Sequence, residues 1–537
     1  MKLLIWYNKF MANISKVYLL NTPLEDDMKN TLYFASSANQ QSYFSGTIGK
    51  TYTDVSYQSD TRTFRCPDHI DTVRQYNYMM YQNTAYSNKW FYGFIKKMTY
   101  VSDGFTDVVF EVDPIQTFMF DITIKPSFIE REHTNNDTVG NNLIPENLEH
   151  GEYKNNGDPI KIGGNNYYVI NADKAPYGRD TSTYTAVNVG GVPMSGNLFI
   201  FTNMPTFNNA VQSYASMEGG LDHIKSAYVA SWLTISGDDI EPGDFDIDEH
   251  AYYKYKGKSQ PVEGGQTLSA PTSIDGYVPR NNKLLSGPYQ YLLLSNNNGA
   301  TNELNYEYFA NRASIKIETK GIPTVGGSLS AYPKDYKGVT NNYNEGVIGG
   351  KLPTLSWSGD AYTNWLTQNA VNIGASVATS ALSIGAGAVS GLLTGGVGAV
   401  IGISTAVSGI NAVSNQLVEL YEHSIVPNTF SGNTNGGDVK TANKTNTIYV
   451  WKMSITQQFA RVIDDYFDMY GYATHRVKTP NVNHRANWWY TKTINANIIG
   501  NIPNDYLNKI KEAYNNGITF WKDASNFLNY SVSNGIV

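Results

Sequence analysis

Short apolar runs broken by polar positions dominate the chain. Between residues 11 and 125 the stretches "KVYLL", "NTLYF", "QSYFSG" and "VVFEVDP" are separated by polar, Gly-containing breaks. That pattern predicts short antiparallel strands. One stretch departs from it: in "PDHIDTVRQYNYMMYQN", Ile70, Val73, Tyr76, Tyr78 and Met80 fall near a helical period and predict a helix. Residues 131–165 are dense in Asn, Asp, Gly and Pro and read as an extended connector. A second β-rich stretch runs from about 166 to 355. Strands resume in "NTIYVWKMSIT" and "WWYTKTINANI", around helices predicted over 457–470 and 503–515. The expected class is mainly β with some α: a multidomain chain of antiparallel sheets or barrels, plus one long hydrophobic loop of helical character. No repeat of fixed period is visible.

That loop breaks the pattern most sharply. Between Asp360 and Glu419 there is no Asp, Glu, Lys, Arg or His. From Ala370 to Val413 the run is long enough for two helices of about twenty residues, each able to span a ~30 Å hydrocarbon core, with Thr394-Gly395-Gly396 as the turn. Gly387, Gly391 and Gly395 recur every four residues, as do Gly398 and Gly402. Such rows let helix backbones approach closely in lipid. The apolar positions proposed to enter lipid are Val377, Leu382, Ile384, Val389, Leu392, Leu393, Val397, Val400, Ile401, Ile403 and Val407. In the first half, these and their neighbours Val371 and Ile373 supply roughly −2 to −5 kcal/mol for insertion, much of it offset by Gly, Ser, Thr and Asn. Insertion is therefore marginal, and no Lys/Arg cluster fixes an orientation. From pattern alone, a buried helical hairpin and a sheltered, conditionally inserting loop fit equally.

Composition narrows the function classes. The 537 residues suffice for roughly three or four domains. Charged residues are 16%, and aromatics 13%, with 40 tyrosines, a mixture that favours strands and polar loops. A formal charge of −7 argues against tight nucleic-acid binding, which needs clustered Lys and Arg. The single Cys66 excludes an internal disulfide and a Cys-based zinc site. The opening "MKLLIWYNKFMANIS" has too short an apolar run for a signal peptide and is not expected to direct secretion.

Catalytic signatures are hard to find. Asp244, Asp246 and Asp248 have a D-x-D-x-D spacing, but Glu249 and Tyr255 stand where a calcium loop of the EF-hand kind needs Gly and Glu. A solvated acidic edge is the simpler reading. In "FIEREH", Glu130 and Glu132 share a face if the strand is regular, whereas glycoside hydrolysis needs carboxylates on opposite sides of a bond. With His133 they read as structural. No H-E-x-x-H, G-x-S-x-G or P-loop occurs. The chain is expected not to be an enzyme and to need no metal or cofactor.

Three stretches carry a resemblance: "NISKVYLLNTPLEDDMKNTLYF" (13–34), "FIEREHTNNDTVGNNLIPENLEHGEY" (128–153) and "DDYFDMYGYATHRVKTPNVNHRANWWYTKT" (464–493). In this order, with the charge-free segment before the third, they resemble the distal tail knob, or lower tail tube, family. Its members belong to small short-tailed phages with protein-primed genomes that infect Gram-positive bacteria. The resemblance implies a tube-forming homo-hexamer at the virion's tail tip, through which DNA leaves without specific binding. It implies hydrophobic loops that perforate the host cytoplasmic membrane, and contacts with an upstream tail or connector protein and a separate wall-degrading tip protein. On this reading 1–10 is an upstream start or extension, 11–155 an N-terminal tube domain and 156–355 a middle β-rich knob region. Residues 356–430 are the membrane-active loop, and 431–537 return to the tube. A receptor-binding adhesin and a tail-associated wall hydrolase are the alternatives from other classes.

Overall fold

Alternation along two neighbouring strands sets up the first half of the architecture. The computed structural model describes residues 15–348, 357–358 and 448–537. Excepted are the short interior stretches 56, 59–60, 84–86, 163–164, 179, 185–186, 190–191, 233–236, 244–250, 259–261, 297–298 and 322–328. In strand Ser15–Leu20, Val17 and Leu19 enter one hydrophobic cluster and Leu20 enters another. Its antiparallel neighbour Tyr78–Asn83 does the same, with Met79 and Tyr81 on one side and Tyr78 and Met80 on the other. Both strands are buried on two faces.

This corrects the expectation of a helix over "PDHIDTVRQYNYMMYQN". Only Ile70–Val73 is helical, a single turn, and Tyr78–Asn83 is a central strand. A strand buried on both faces shows a run of large residues instead of alternation, and such a run mimics helical spacing. "QSYFSG" is a second correction, for it lies within the helix Ser37–Gly46. The Ser36 hydroxyl caps that helix by accepting from the Asn39 amide at 3.2 Å. Only Gln40 and Phe44, four residues apart, are buried along it. "KVYLL", "VVFEVDP", "NTIYVWKMSIT" and "WWYTKTINANI" form strands as expected, and the helices predicted over 457–470 and 503–515 are Gln457–Tyr470 and Asn504–Asn516.

The chain divides into two units, each with its own core. The first comprises the described residues up to His150 together with Pro279–Lys283 and Gln458–Val537. Its seven-stranded sheet runs, in spatial order, Ile48–Val55, Ser15–Leu20, Tyr78–Asn83, Trp90–Ser102, Phe105–Val112, Thr63–Cys66 and Tyr57–Gln58, antiparallel throughout. A five-stranded sheet runs Asn30–Leu32, Ile518–Trp521, Trp488–Ile494, Ser127–Glu132 and Tyr472–Lys478. Trp488 and Trp521, fully buried and 4.9 Å apart between ring centroids, join Tyr78, Met80, Tyr92 and Phe44 in one cluster. Aromatic burial on this scale dominates a core's energetics.

The second unit comprises Gly151–Val278 and Leu284–Gln457. Three sheets feed its main core. Leu292, Leu294, Ile448 and Val450 come from one, Val169, Leu198 and Ile200 from another, and Ile315, Ile317, Leu329 and Ala331 from the third. The helix Met204–Ala215, which the strand-rich reading of 166–355 omitted, closes a smaller core through Phe207, Ala210 and Tyr214. Asn203 caps it, accepting from the Thr206 amide at 2.9 Å. The protein is thus mainly β, multidomain and built from largely antiparallel sheets, the pairing of Asn30–Leu32 with Ile518–Trp521 being parallel.

Candidate functional site

The proposed lipid-entering residues from Val377 to Val407, and the glycines from Gly387 to Gly402, lie outside the described residues, as do Asp244, Asp246 and Asp248. The strands that bracket the charge-free segment are described, and they are unequal. Among the described residues, Trp357–Ser358 is a two-residue strand at the end of its sheet, paired with Ser226 and Ala227. Ile448–Ile455 is held on both sides: by Tyr153–Asn155 and Ile160–Ile162 on one, and by six consecutive pairs to Gln290–Ser295 on the other. Ile448 and Val450 are fully buried. Among the described residues, the departing end has one neighbouring strand and the returning end has neighbours on both sides.

Among the described residues no helix is long and apolar enough to cross a membrane, and no group of three or more His, Cys, Asp or Glu is placed to hold a metal ion.

The two stretches 128–153 and 464–493 meet in the first unit, and a polar cluster fastens them. Strand Ser127–Glu132 pairs with Tyr472–Lys478 on one side and Trp488–Ile494 on the other. Segment Pro279–Lys283 joins them. Glu146 takes an ion pair from Lys283 at 2.5 Å, a second from Arg131, and the Ala473 amide at 2.9 Å. Lys283 also donates to the Ile144 carbonyl at 2.7 Å and lies over the Tyr472 ring, 5.3 Å from its centroid. Burial pulls its ammonium below the ordinary lysine range, against the opposing pull of Glu146. Asp464, fully buried, accepts from the Arg280 amide at 2.7 Å, the Asn281 amide at 3.1 Å and the Asn281 side chain at 2.8 Å. Asp468 takes Arg280 Nη1 at 2.7 Å and Asn281 Nδ2 at 2.8 Å. Asp137 accepts from Tyr472 Oη at 2.6 Å and the Asn282 amide at 2.9 Å, while burial raises its carboxyl.

The "FIEREH" residues belong to this fastening. A register shift between Ile129 and Arg131 interrupts the strand, so simple alternation does not govern Glu130 and Glu132. Glu130 pairs with Lys492 at 2.8 Å. Glu132, fully buried, accepts from the Asn481 amide at 2.9 Å and pairs with Lys478 at 2.5 Å, on the opposite neighbouring side. His133 Nδ1 accepts from the Tyr490 amide at 2.7 Å. Its Nε2 therefore carries the proton and donates to the Asp468 carbonyl at 2.9 Å. Burial pushes its pKa down to about 3, with Arg485 adding to the effect. The ring is neutral and locked in one tautomer. These groups hold backbone in place.

Sequence reasoning missed Arg280, Asn281 and Lys283. Their partners lie as far as 191 residues away and none of those named here is closer than 137, so spacing carries no signal of them. Cys66 is buried, and burial pushes its thiol up, away from thiolate chemistry.

Against known proteins, residues 251–535 match the family profile described as Bacillus phage phi29, Tail knob protein gp9, C-terminal domain. Residues 13–123 match the Caudoviral major tail protein N-terminus. The chain is 25% identical to the tail knob protein gp9 of Bacillus phage B103, over 93% of this chain and 95% of the relative. It is also 25% identical to that of Bacillus phage phi29, over 96% of this chain and 97% of the relative. The structure of the bacteriophage C1 tail knob protein, gp12, superposes with a TM-score of 0.62 over 97% of this chain and 100% of that one, at 12% identity. That likeness is one of fold. Since the first of these profiles spans more than half of the 537 residues, this chain belongs to the tail knob protein gp9 family.

Proposed function

We propose that this chain is a structural component of the virion, forming the distal tube of a short-tailed phage. In this reading, six copies close into a ring that conducts DNA, and residues of roughly 365–425 from each copy penetrate the host cytoplasmic membrane. The chain contacts an upstream tail protein and a separate wall-degrading tip protein. The observation that carries the reading is the charge-free run between Asp360 and Glu419 in a chain of the tail knob family.

Two further features support it. Six copies at −7 each carry −42, so the conduit repels phosphates more than it retains them. Among the described residues Trp357–Ser358 has one neighbouring strand and Ile448–Ile455 has neighbours on both sides, which supports release at the first end with anchorage at the second. Marginal insertion energy suits a device stored in one environment and used in another.

The test is dye release from liposomes by the purified assembly, beside a variant with 365–425 replaced by a Gly/Ser linker. Release is expected from the first and not from the second. Equal release from both would sink the membrane role, and electron micrographs without rings would sink the tube.

A further inference from the structure

A polar pocket in the second unit points to a ligand that the tail-tube reading does not require. It has a volume of about 360 Å³, and Asn156, Asp275, Gln290, Tyr306, Lys452 and Met453 are among the residues lining it. That volume lies near the lower end of the ~300–1,000 Å³ typical of small-molecule sites, matching one ring-sized ligand.

Its polar groups are only partly used by the protein. The Gln290 side chain is completely buried, and neither its amide oxygen nor its amide nitrogen has a partner. Buried polar groups are nearly always paired, so an orphaned amide in a pocket lining calls for a missing partner. Among the described residues Lys452 makes no ion pair and the Tyr306 hydroxyl makes no hydrogen bond. Asp275 is fixed in position by a tight turn: Asp275 and Gly276 both have positive φ, and Ile274 and Tyr277 exchange backbone hydrogen bonds at 2.7 and 2.8 Å. Its carboxylate holds Lys154 at 2.5 Å and the Gln457 amide at 3.1 Å, which leaves lone pairs for further donors.

The chemistry of this set selects a class. Donors and acceptors alternate around the pocket: an ammonium, a carboxylate, a phenol and a carboxamide. A bare anion would find one cation and be opposed by Asp275. A neutral polyhydroxylated ring donates and accepts at each hydroxyl and suits a lining of mixed donors and acceptors. Met453 and Pro271 add apolar surface for its C–H face. We infer that this pocket binds a single neutral sugar residue, a hexose or N-acetylhexosamine, such as a bacterial surface glycan presents.

The inference holds whether or not residues 359–447 enter membranes. Full-length protein is titrated with glucose and with N-acetylglucosamine and observed by saturation-transfer NMR, with inorganic phosphate as the competing probe. Saturable binding in the millimolar range is expected for at least one sugar, with phosphate ineffective. Tyr306→Phe and Lys452→Met should each weaken it at least tenfold while leaving the melting curve unchanged, because neither removes a protein–protein hydrogen bond. No saturable sugar binding, sugar binding that both substitutions leave intact, or displacement by phosphate overturns it.

Discussion

Lys283 and Glu146 form an ion pair of 2.5 Å with their side chains only 3% and 1% exposed, joining two segments of the first unit that lie 137 residues apart in sequence. Removing one partner of a buried pair costs about 3–5 kcal/mol, because the other charge is stranded. The two halves are not equivalent here. Lys283→Met leaves Glu146 with Arg131 and the Ala473 amide. Glu146→Ala removes the one carboxylate that pairs with both Lys283 and Arg131, so two cations lose it at once. Thermal unfolding should therefore show Glu146→Ala as the more damaging change. The reverse order would mean that Arg131 and the Ala473 amide are not enough to hold Glu146 alone.

His133 makes the first unit acid-sensitive. Its folded pKa of about 3 lies below the ordinary value of about 6.5. Between those values the unfolded chain binds a proton that the folded chain refuses. The stabilising contribution is complete above pH 6.5 and falls as the pH drops toward 3. From pH 7 to 5 the loss amounts to about 2 kcal/mol. Asp113 works the other way: burial raises it to about 6, so it favours the folded state at low pH and loses that contribution as the pH rises through 6. Comparing wild type with His133→Gln separates the two. The variant should be less stable at pH 7, having lost the acceptor for the Tyr490 amide, yet fall less between pH 7 and 5. Parallel pH profiles would show that His133 does not carry the linkage.

The charge-free segment should tolerate little. If the segment inserts as the two helices proposed from its sequence, Ile384→Asp with Ile403→Asp places one carboxylate near the centre of each, costing about 2.5–3.5 kcal/mol apiece, comparable to the whole apolar gain. Particles with both changes should assemble and adsorb, yet fail to release dye from liposomes or deliver DNA. Perforation by the double variant removes the segment from the mechanism, and failure to fold restores the buried-hairpin reading.

Hydrogen exchange should report the unequal fastening. Amides of Ile448–Ile455, paired on both sides, should exchange slowly, by openings close to global unfolding. Those at Trp357–Ser358, with two pairs to one neighbouring strand among the described residues, should exchange orders of magnitude faster. Equal protection at the two ends would contradict a segment that leaves from one end and stays anchored at the other.

Legibility in the sequence followed the locality of the signal. The helix Asn504–Asn516 shows a one-sided pattern, with Ile510, Ala513 and Tyr514 inward, and could be read directly. The helix Met204–Ala215 announced itself only through Asn203 and Pro205 at its start, a signal that outweighs the strand-like "NLFIF" just before it. Tyr78–Asn83 misled because burial on both faces erases alternation. Arg280, Asn281 and Lys283 could not be found at all, since a buried lysine looks like any surface lysine until its carboxylate is known. The charge-free segment was legible for the opposite reason, being defined by what it lacks over a long continuous run.

The pairing of Ser127–Glu132 with strands some 340 residues later sets a clock on synthesis. At roughly 5–20 residues per second, the ribosome needs about 15–70 s between making Arg131 and making Gly471. Throughout that interval the strand has both edges open, and the charge-free segment is translated before either neighbour exists. Open edges and unsheltered apolar chain are what drive nascent proteins to aggregate. A message broken anywhere before the codons for 458–537 thus yields a product whose five-stranded sheet lacks three of its members, fit for degradation and not for assembly.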